Sequence, residues 1–335
     1  MLNIGKPNIL PKINYSDLGK VKKTSDLGGF LAVGIVQGIT IMVLLVLFMV
    51  LGKIFIEGIE VINLTFLTQA PKVNMSEGGI GPAIFGTITV TMLMIVFSVP
   101  IGIFTAIYLQ EYASYNFFSR VVRIAVNNLA GVPSIVYGLF GLGFFILFLG
   151  KGIDELLQTG LLFGQPAMLW ASATLAVLVL PTIIITTAEA LRAVPLEQRK
   201  AGYGLGATKW QTVKHIVLPQ ARPGILTGII LAVSRGAGET APVLFLGCAF
   251  FLPNLPIAYI DMGLFALPMV NPTEQFMYLS YQIFILATQS SNPTLTMPMQ
   301  YGTTLVLISI TILLNLTAVI FRYRFRKTLE ELRGS

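Results

Sequence analysis

Apolar residues run along this chain in long unbroken stretches. They do not follow the period-2 or period-3.6 alternation of half-buried strands and helices. A helix needs about 20 mostly apolar residues to cross a bilayer. Six windows reach that length: 29–51, 83–109, 125–149, 167–191, 223–252 and 303–321. A seventh run, 276–288 (FMYLSYQIFILAT), has only 13 residues and is read as interfacial or re-entrant. Pro100, Pro133, Pro181 and Pro242 lie inside the windows, where each removes a backbone hydrogen bond and favours a kink. The pattern predicts an all-α membrane protein with six transmembrane helices.

The polar residues between the windows orient it. Of the 22 Lys and Arg, 18 lie in the tail 1–28, the loops 110–124 and 192–222, and the tail 322–335. The alternate loops hold only Lys53, Lys72 and Lys151. Positive loops stay on the cytoplasmic side, so both termini are expected there and the number of spans must be even. That parity is why 276–288 is not read as a crossing. The expected domain plan is a cytoplasmic tail 1–28, a permease-type domain 29–321 with its main cytoplasmic loop at about 192–222, and a basic cytoplasmic tail 322–335. The first apolar run shows no A-x-A site, so it is expected to be a retained span and not a cleaved signal peptide.

Composition supports the same class. Hydrophobic residues make up 55% and charged residues 11%, against about 25% charged in soluble domains. A water-soluble enzyme and a disordered chain are excluded. The net charge of +7 is explained by topology, so no nucleic-acid partner is invoked. One Cys (Cys248) and one His (His215) leave no disulfide framework, no Cys-based zinc site and no His relay. There is no G-x-x-x-x-G-K-[ST] loop, so the chain is expected to carry no ATP site, bind no cofactor and not be an enzyme.

Two features stand out in the fifth window. Arg235 and Glu239 sit near the middle of its apolar run, where a charge costs at least ~2.5 kcal/mol. Spaced i, i+4, they can pair on one helix face. They are either a structural ion pair that locks helices or a substrate pathway in which Arg235 meets an anion and Glu239 holds or releases it, with Thr240 beside them. The second feature is a stripe of small residues, Gly224, Gly228, Ala232 and Gly236, leading to Thr240 every four residues. Such a stripe allows close helix packing.

The loop EALRAVPLEQRKAGYGLGATKWQTVKHIVLPQARPG reads as a helix–turn–helix between Pro195 and Pro219. Gly206, nine intervening residues, then Ile216-Val217-Leu218-Pro219 resemble the cytoplasmic coupling loop of ABC-importer permeases. Gly78-Gly79-Ile80-Gly81-Pro82, NNLAGVPSIVYGLFGL at 127–142 and SRGAGETAP at 234–242 resemble the PstA family, the permeases of phosphate importers. The motifs cover spans two to five. The resemblance implies a type I ABC importer permease fold in the bacterial inner membrane and transport of inorganic phosphate. It also implies a PstC-like second permease, a PstB-like ATPase dimer holding ATP and Mg, and a PstS-like phosphate-binding protein. Lys200, Ala201, Gly202, Leu205, Gly206, Ala207, Thr208, Ile216, Leu218 and Pro219 would carry ATPase coupling. One departure is plain: Lys200-Ala201-Gly202 stands where the family has Glu-Ala-Ala or a close variant. Permeases for sulfate or molybdate and a passive anion channel are the alternatives.

Overall fold

The computed structural model describes residues 27–72, 77–113, 116–252, 254–261 and 266–334. Residues 1–53 and 54–335 form two units. The described part of the first is the body of helix α1 (Leu27–Ile59), apolar on every face and exposed in the single chain from 28 to 51. The expected tail 1–28 lies outside the described residues, except for its last two.

The second unit opens with a short helix α2 (Leu64–Thr68) and a two-residue hairpin, β1 (Pro71–Lys72) with β2 (Glu77–Gly78). There follow α3 (Gly81–Ile107), α4 (Phe117–Leu129), α5 (Ser134–Leu157), α6 (Met168–Arg192), α7 (Leu196–Gly204), α8 (Lys209–Gly238) and α9 (Ala241–Leu244). A five-residue antiparallel hairpin, β3 (Ile257–Asp261) with β4 (Ala266–Val270), precedes α10 (Leu279–Thr288) and the last helix, α11 (Pro293–Gly334). Six described helices are long and apolar enough to cross a membrane: α1, α3, α5, α6, α8 and α11. The run read as interfacial or re-entrant is α10, 10 residues long, packed on α3 and α11 with Leu279, Ile285 and Leu286 buried.

Helix α6 is the centre of the bundle. Ala171, Leu175, Leu178, Val179 and Ile183 are buried along it, and α3 and α8 pack against it. Small residues bring α8 close. A Cβ on Gly224 would overlap Ala190, one on Gly228 would overlap Thr186, and one on Gly236 would overlap Met94 of α3. The stripe predicted in the fifth span therefore packs within this chain.

The third, fifth and sixth spans shift from their expected limits, the sixth starting at Pro293, not 303. The third starts at Ser134, not 125. Residues 117–129 are the separate amphipathic helix α4, which Asn116 caps by accepting from Ser119 N at 2.9 Å. Pro133 ends the intervening break, because a residue before proline is pushed out of the α region. The fifth is Lys209–Gly238, not 223–252. It begins inside the segment expected as a cytoplasmic loop and stops before Glu239. Pro133 and Pro242 thus stand at helix starts, where a missing N–H costs nothing. Pro100 and Pro181 are inside helices as expected, and Pro223 and Pro298 join them. Residues 322–334, expected as a tail, continue the helix of α11.

Candidate transport pathway and coupling element

The 196–212 segment is a compact helix–turn–helix. Helix α7 ends in a left-handed Gly206 (φ 81°). Ala207 N donates to Gly202 O at 3.1 Å and Gly206 N to Tyr203 O at 3.0 Å. This pair of bonds is a complete Schellman stop. Two residues after Gly206, Thr208 starts α8 with a capping box: its hydroxyl accepts from Gln211 N, and its own N–H donates to Gln211 Oε1 at 2.8 Å. Gly202 is buried where a Cβ would sit 2.6 Å from Ile216 Cδ1, so the two helices cross on a glycine.

This geometry sorts the residues expected to couple. Lys200, Ala201, Leu205, Gly206 and Thr208 are exposed and Ala207 is half-buried, with Leu205 standing 90% exposed at the tip. Gly202 and Ile216 are internal to the element. Leu218 and Pro219 lie further along α8, away from the tip, and line a groove. Tyr203 and Trp210 are exposed aromatics near the tip that the motif reading did not single out.

The element is fastened to the bundle by groups that no local pattern reveals. The Arg199 guanidinium donates through Nη1 to both oxygens of Glu111 at 2.6 Å and through Nη2 to Leu191 O at 2.6 Å. The two side chains are only 13% and 5% exposed. Glu111 lies in Tyr108–Tyr112, a π-type turn at the end of α3. In the same turn Leu109 O accepts from Arg123 of α4, and Lys209 Nζ sits 5.0 Å from the Tyr112 ring. Ile107, Leu191, Val194, Val213, Val217 and Ala221 form an apolar cluster beneath.

The other ion pair differs. Arg235 and Glu239 are not mid-helix: α8 ends at Gly238 and Glu239 is extended (φ −74°, ψ 131°). Arg235 Nε reaches Glu239 Oε1 at 3.5 Å, with side-chain exposures of 39% and 18%. The break is held from the start of α10. Tyr278 donates its hydroxyl proton to Gly236 O at 2.9 Å, and Ser280 donates to Glu239 O at 3.0 Å. Tyr278 is buried, and burial pushes its phenol well above the usual range, so it remains a donor. Thr240, half-buried, leads into α9.

The remaining motifs frame this break. Gly138 and Gly141 of the 127–142 motif lie where a Cβ would come within 3.1 Å of Pro242 Cα and 3.0 Å of Leu246. That motif therefore packs on the end of SRGAGETAP. Tyr137 donates to Leu129 O at 2.7 Å across the α4–α5 break. In the first motif Gly78 has φ 89°, and Gly79 lies where a Cβ would be 2.6 Å from Thr65 O. It tucks under α2 and feeds Pro82 into the first turn of α3.

This architecture is the permease fold of type I ABC importers. A solved bacterial ABC transporter involved in import of the acidic polysaccharide alginate superposes with TM-score 0.62, covering 92% of this chain and 98% of that one at 14% identity. The chain belongs to the family of binding-protein-dependent transport system inner membrane components, whose profile matches residues 98–331. It is a multi-pass inner-membrane protein. It is 41% identical over 197 residues to the phosphate transport system permease protein PstA 1 of Mycobacterium tuberculosis H37Rv, which is 59% of this chain and 59% of that relative. The match to PstA of Xylella fastidiosa 9a5c is 34% over 210 residues, 62% of this chain and 69% of that one. The matched stretch therefore spans about three-fifths of the first relative.

Proposed function

We propose that this chain is a PstA-type permease subunit that moves inorganic phosphate inward through a complex driven by ATP. Its partners are a PstC-like second permease, a PstB-like ATPase dimer that holds ATP and Mg, and a PstS-like phosphate-binding protein. This chain contributes no cofactor. Both termini and the α7–α8 turn face the cytoplasm, because the basic residues concentrate there.

One observation carries the reading: the ion pairs Arg199–Glu111 and Arg235–Glu239 are built differently. Arg199–Glu111 is short, two-pronged and buried, as a structural lock should be. Arg235–Glu239 is long, partly exposed and placed at a helix end. From Arg222 to Arg235 the helix rises ~20 Å, which places Arg235 just past the middle of a ~30 Å hydrocarbon core. A guanidinium exposed at that depth needs a water-filled path or a partner surface. Arginine stays charged and can bind an oxyanion through two N–H groups. Phosphate can displace the weakly held Glu239, while the carbonyl ends of α8 stay tied to Tyr278 and Ser280. Moving a dianion into a cell that is negative inside costs ~2.3 kcal/mol per charge per 100 mV, so hydrolysis on the ATPase must drive the cycle. The Leu205 tip, braced on α3 through Arg199, is the surface on which the ATPase pushes.

The test is uptake of radiolabelled phosphate, sulfate and molybdate by the assembled complex. Arg235→Gln and Arg235→Gln/Glu239→Gln should assemble and lose phosphate uptake. Normal phosphate uptake by the assembled double variant would remove the pair from the pathway. Wild-type uptake of sulfate or molybdate in place of phosphate would reassign the substrate.

A further inference from the structure

A groove of about 600 Å³ runs along α8 where it meets α3. Its wall is apolar, formed by Ile103 of α3 and by Ile225, Leu226 and Ile229 of α8. Its other end carries Lys214, His215 and Arg222, all exposed, and no acidic residue lines it. His215 Nδ1 lies 3.1 Å from Gln211 O, within its own helix. None of these basic groups takes part in the coupling-element lock or the Arg235 pair.

We propose that this groove is a binding site for one anionic phospholipid of the cytoplasmic leaflet. The phosphodiester would lie on Lys214 and Arg222, with an acyl chain along the isoleucines. The dimensions fit. From Arg222 to Ile229 the helix rises ~10 Å, within the ~15 Å half-thickness of the hydrocarbon core. The basic end begins where the apolar run of α8 begins, at the depth of a headgroup. Anionic lipids enrich the cytoplasmic leaflet and attract Lys and Arg there. Free phosphate would use the cations but leave the apolar wall idle. Residues 215, 218, 222, 225, 226 and 229 form one helical stripe. Successive residues turn ~100° about the axis, so Arg235 points ~140° away. If Arg235 faces the anion path, the groove faces the opposite way, toward lipid. That orientation rests on the pathway reading, whereas the binding test below does not involve transport.

The experiment is native mass spectrometry of the purified full-length chain. It is titrated with dioleoyl-phosphatidylglycerol, dioleoyl-phosphatidylcholine and inorganic phosphate. One phosphatidylglycerol should bind roughly ten- to thirtyfold tighter than phosphatidylcholine, and Lys214→Gln/Arg222→Gln should erase that preference. Lys151→Gln should keep it. Leu226→Trp fills the wall, leaves the cations in place and should also weaken binding, which covers the case in which the charge variant fails to fold. In cells, a benzoylphenylalanine at position 226 should crosslink to lipid. Three results would overturn the site: an unchanged preference in the folded charge variant, displacement of phosphatidylglycerol by inorganic phosphate, or crosslinking of position 226 to a protein.

Discussion

Arg199 and Arg235 are the same residue type used in opposite ways, and the difference is set by what each can reach. Arg199 has a carboxylate and a carbonyl within 2.6 Å and little solvent. Removing one partner of such a buried pair costs about 3–5 kcal/mol, because the other charge is stranded. Arg199→Met should therefore lower the thermal unfolding temperature of the purified chain by several degrees. Glu111→Gln/Arg199→Met should recover most of the loss, since no charge remains unpaired. A double variant as unstable as the single one would refute the lock. Glycines can be ranked by the same local logic. At Gly86 a Cβ would strike the backbone carbonyl of Met277, which cannot yield, whereas at Gly236 it would strike the flexible end of Met94. Gly86→Ala should cost about 1–3 kcal/mol and Gly236→Ala clearly less, as read by unfolding of each variant in detergent. The reverse order would show that the α3–α8 approach is the tighter one.

At the scale of elements, the helix–turn–helix depends on consecutive stop and start signals. Gly206 supplies the left-handed stop and Thr208 the cap. Gly206→Ala forces a side chain into the left-handed region at about 1–2 kcal/mol, and Thr208→Ala removes a cap worth about 1 kcal/mol. Both should leave the permease in the membrane and lower substrate-stimulated ATP hydrolysis by the assembled complex. Leu205→Glu changes only a fully projecting side chain, so the chain should fold normally but fail to co-purify with its ATPase. Full co-purification would move the docking surface elsewhere. Among the described residues no atom lies within 4 Å of where a Cβ on Gly206 would sit, so any effect of bulk there acts through backbone strain or through the partner. The break after Gly238 is the other element that the proposed pathway uses. Tyr278→Phe and Ser280→Ala each delete one donor to its carbonyls. Combined, they should reduce phosphate uptake several-fold without reducing the amount of assembled complex. Unchanged uptake would mean that the break needs no outside support.

For the whole molecule, charge predicts the orientation. Single-cysteine labelling in a Cys248→Ser background should find Lys209→Cys accessible only from the cytoplasmic side, and Lys151→Cys only from outside. Labelling of Lys209→Cys in intact cells by an impermeant reagent would invert the topology. Most of the architecture could be read from the chain alone: 20-residue apolar runs, the shortness of the 276–288 run, and family motifs whose glycines now have stated neighbours. The third and fifth span limits could not. Pro133 and Gly238 lie inside apolar stretches, and hydropathy does not distinguish a helix from a break within one.

What the sequence by itself determined is whatever depends on local composition. Helix number follows from apolar length, and the helix–turn–helix at 196–212 from Gly206 and the Thr208–Gln211 box. The tertiary structure decided what depends on distant partners. It joined Glu111 to Arg199 across 88 positions, brought Tyr278 to the carbonyls of a helix that ends 40 residues earlier, and turned the small-residue stripe toward α6 and α3. It also decided that Arg235 lies at a helix end and not in an unbroken span. The physical reason is that a hydrocarbon-like run favours burial without specifying a partner, whereas a hydrogen bond or ion pair depends on which groups the packed backbone brings within about 3 Å.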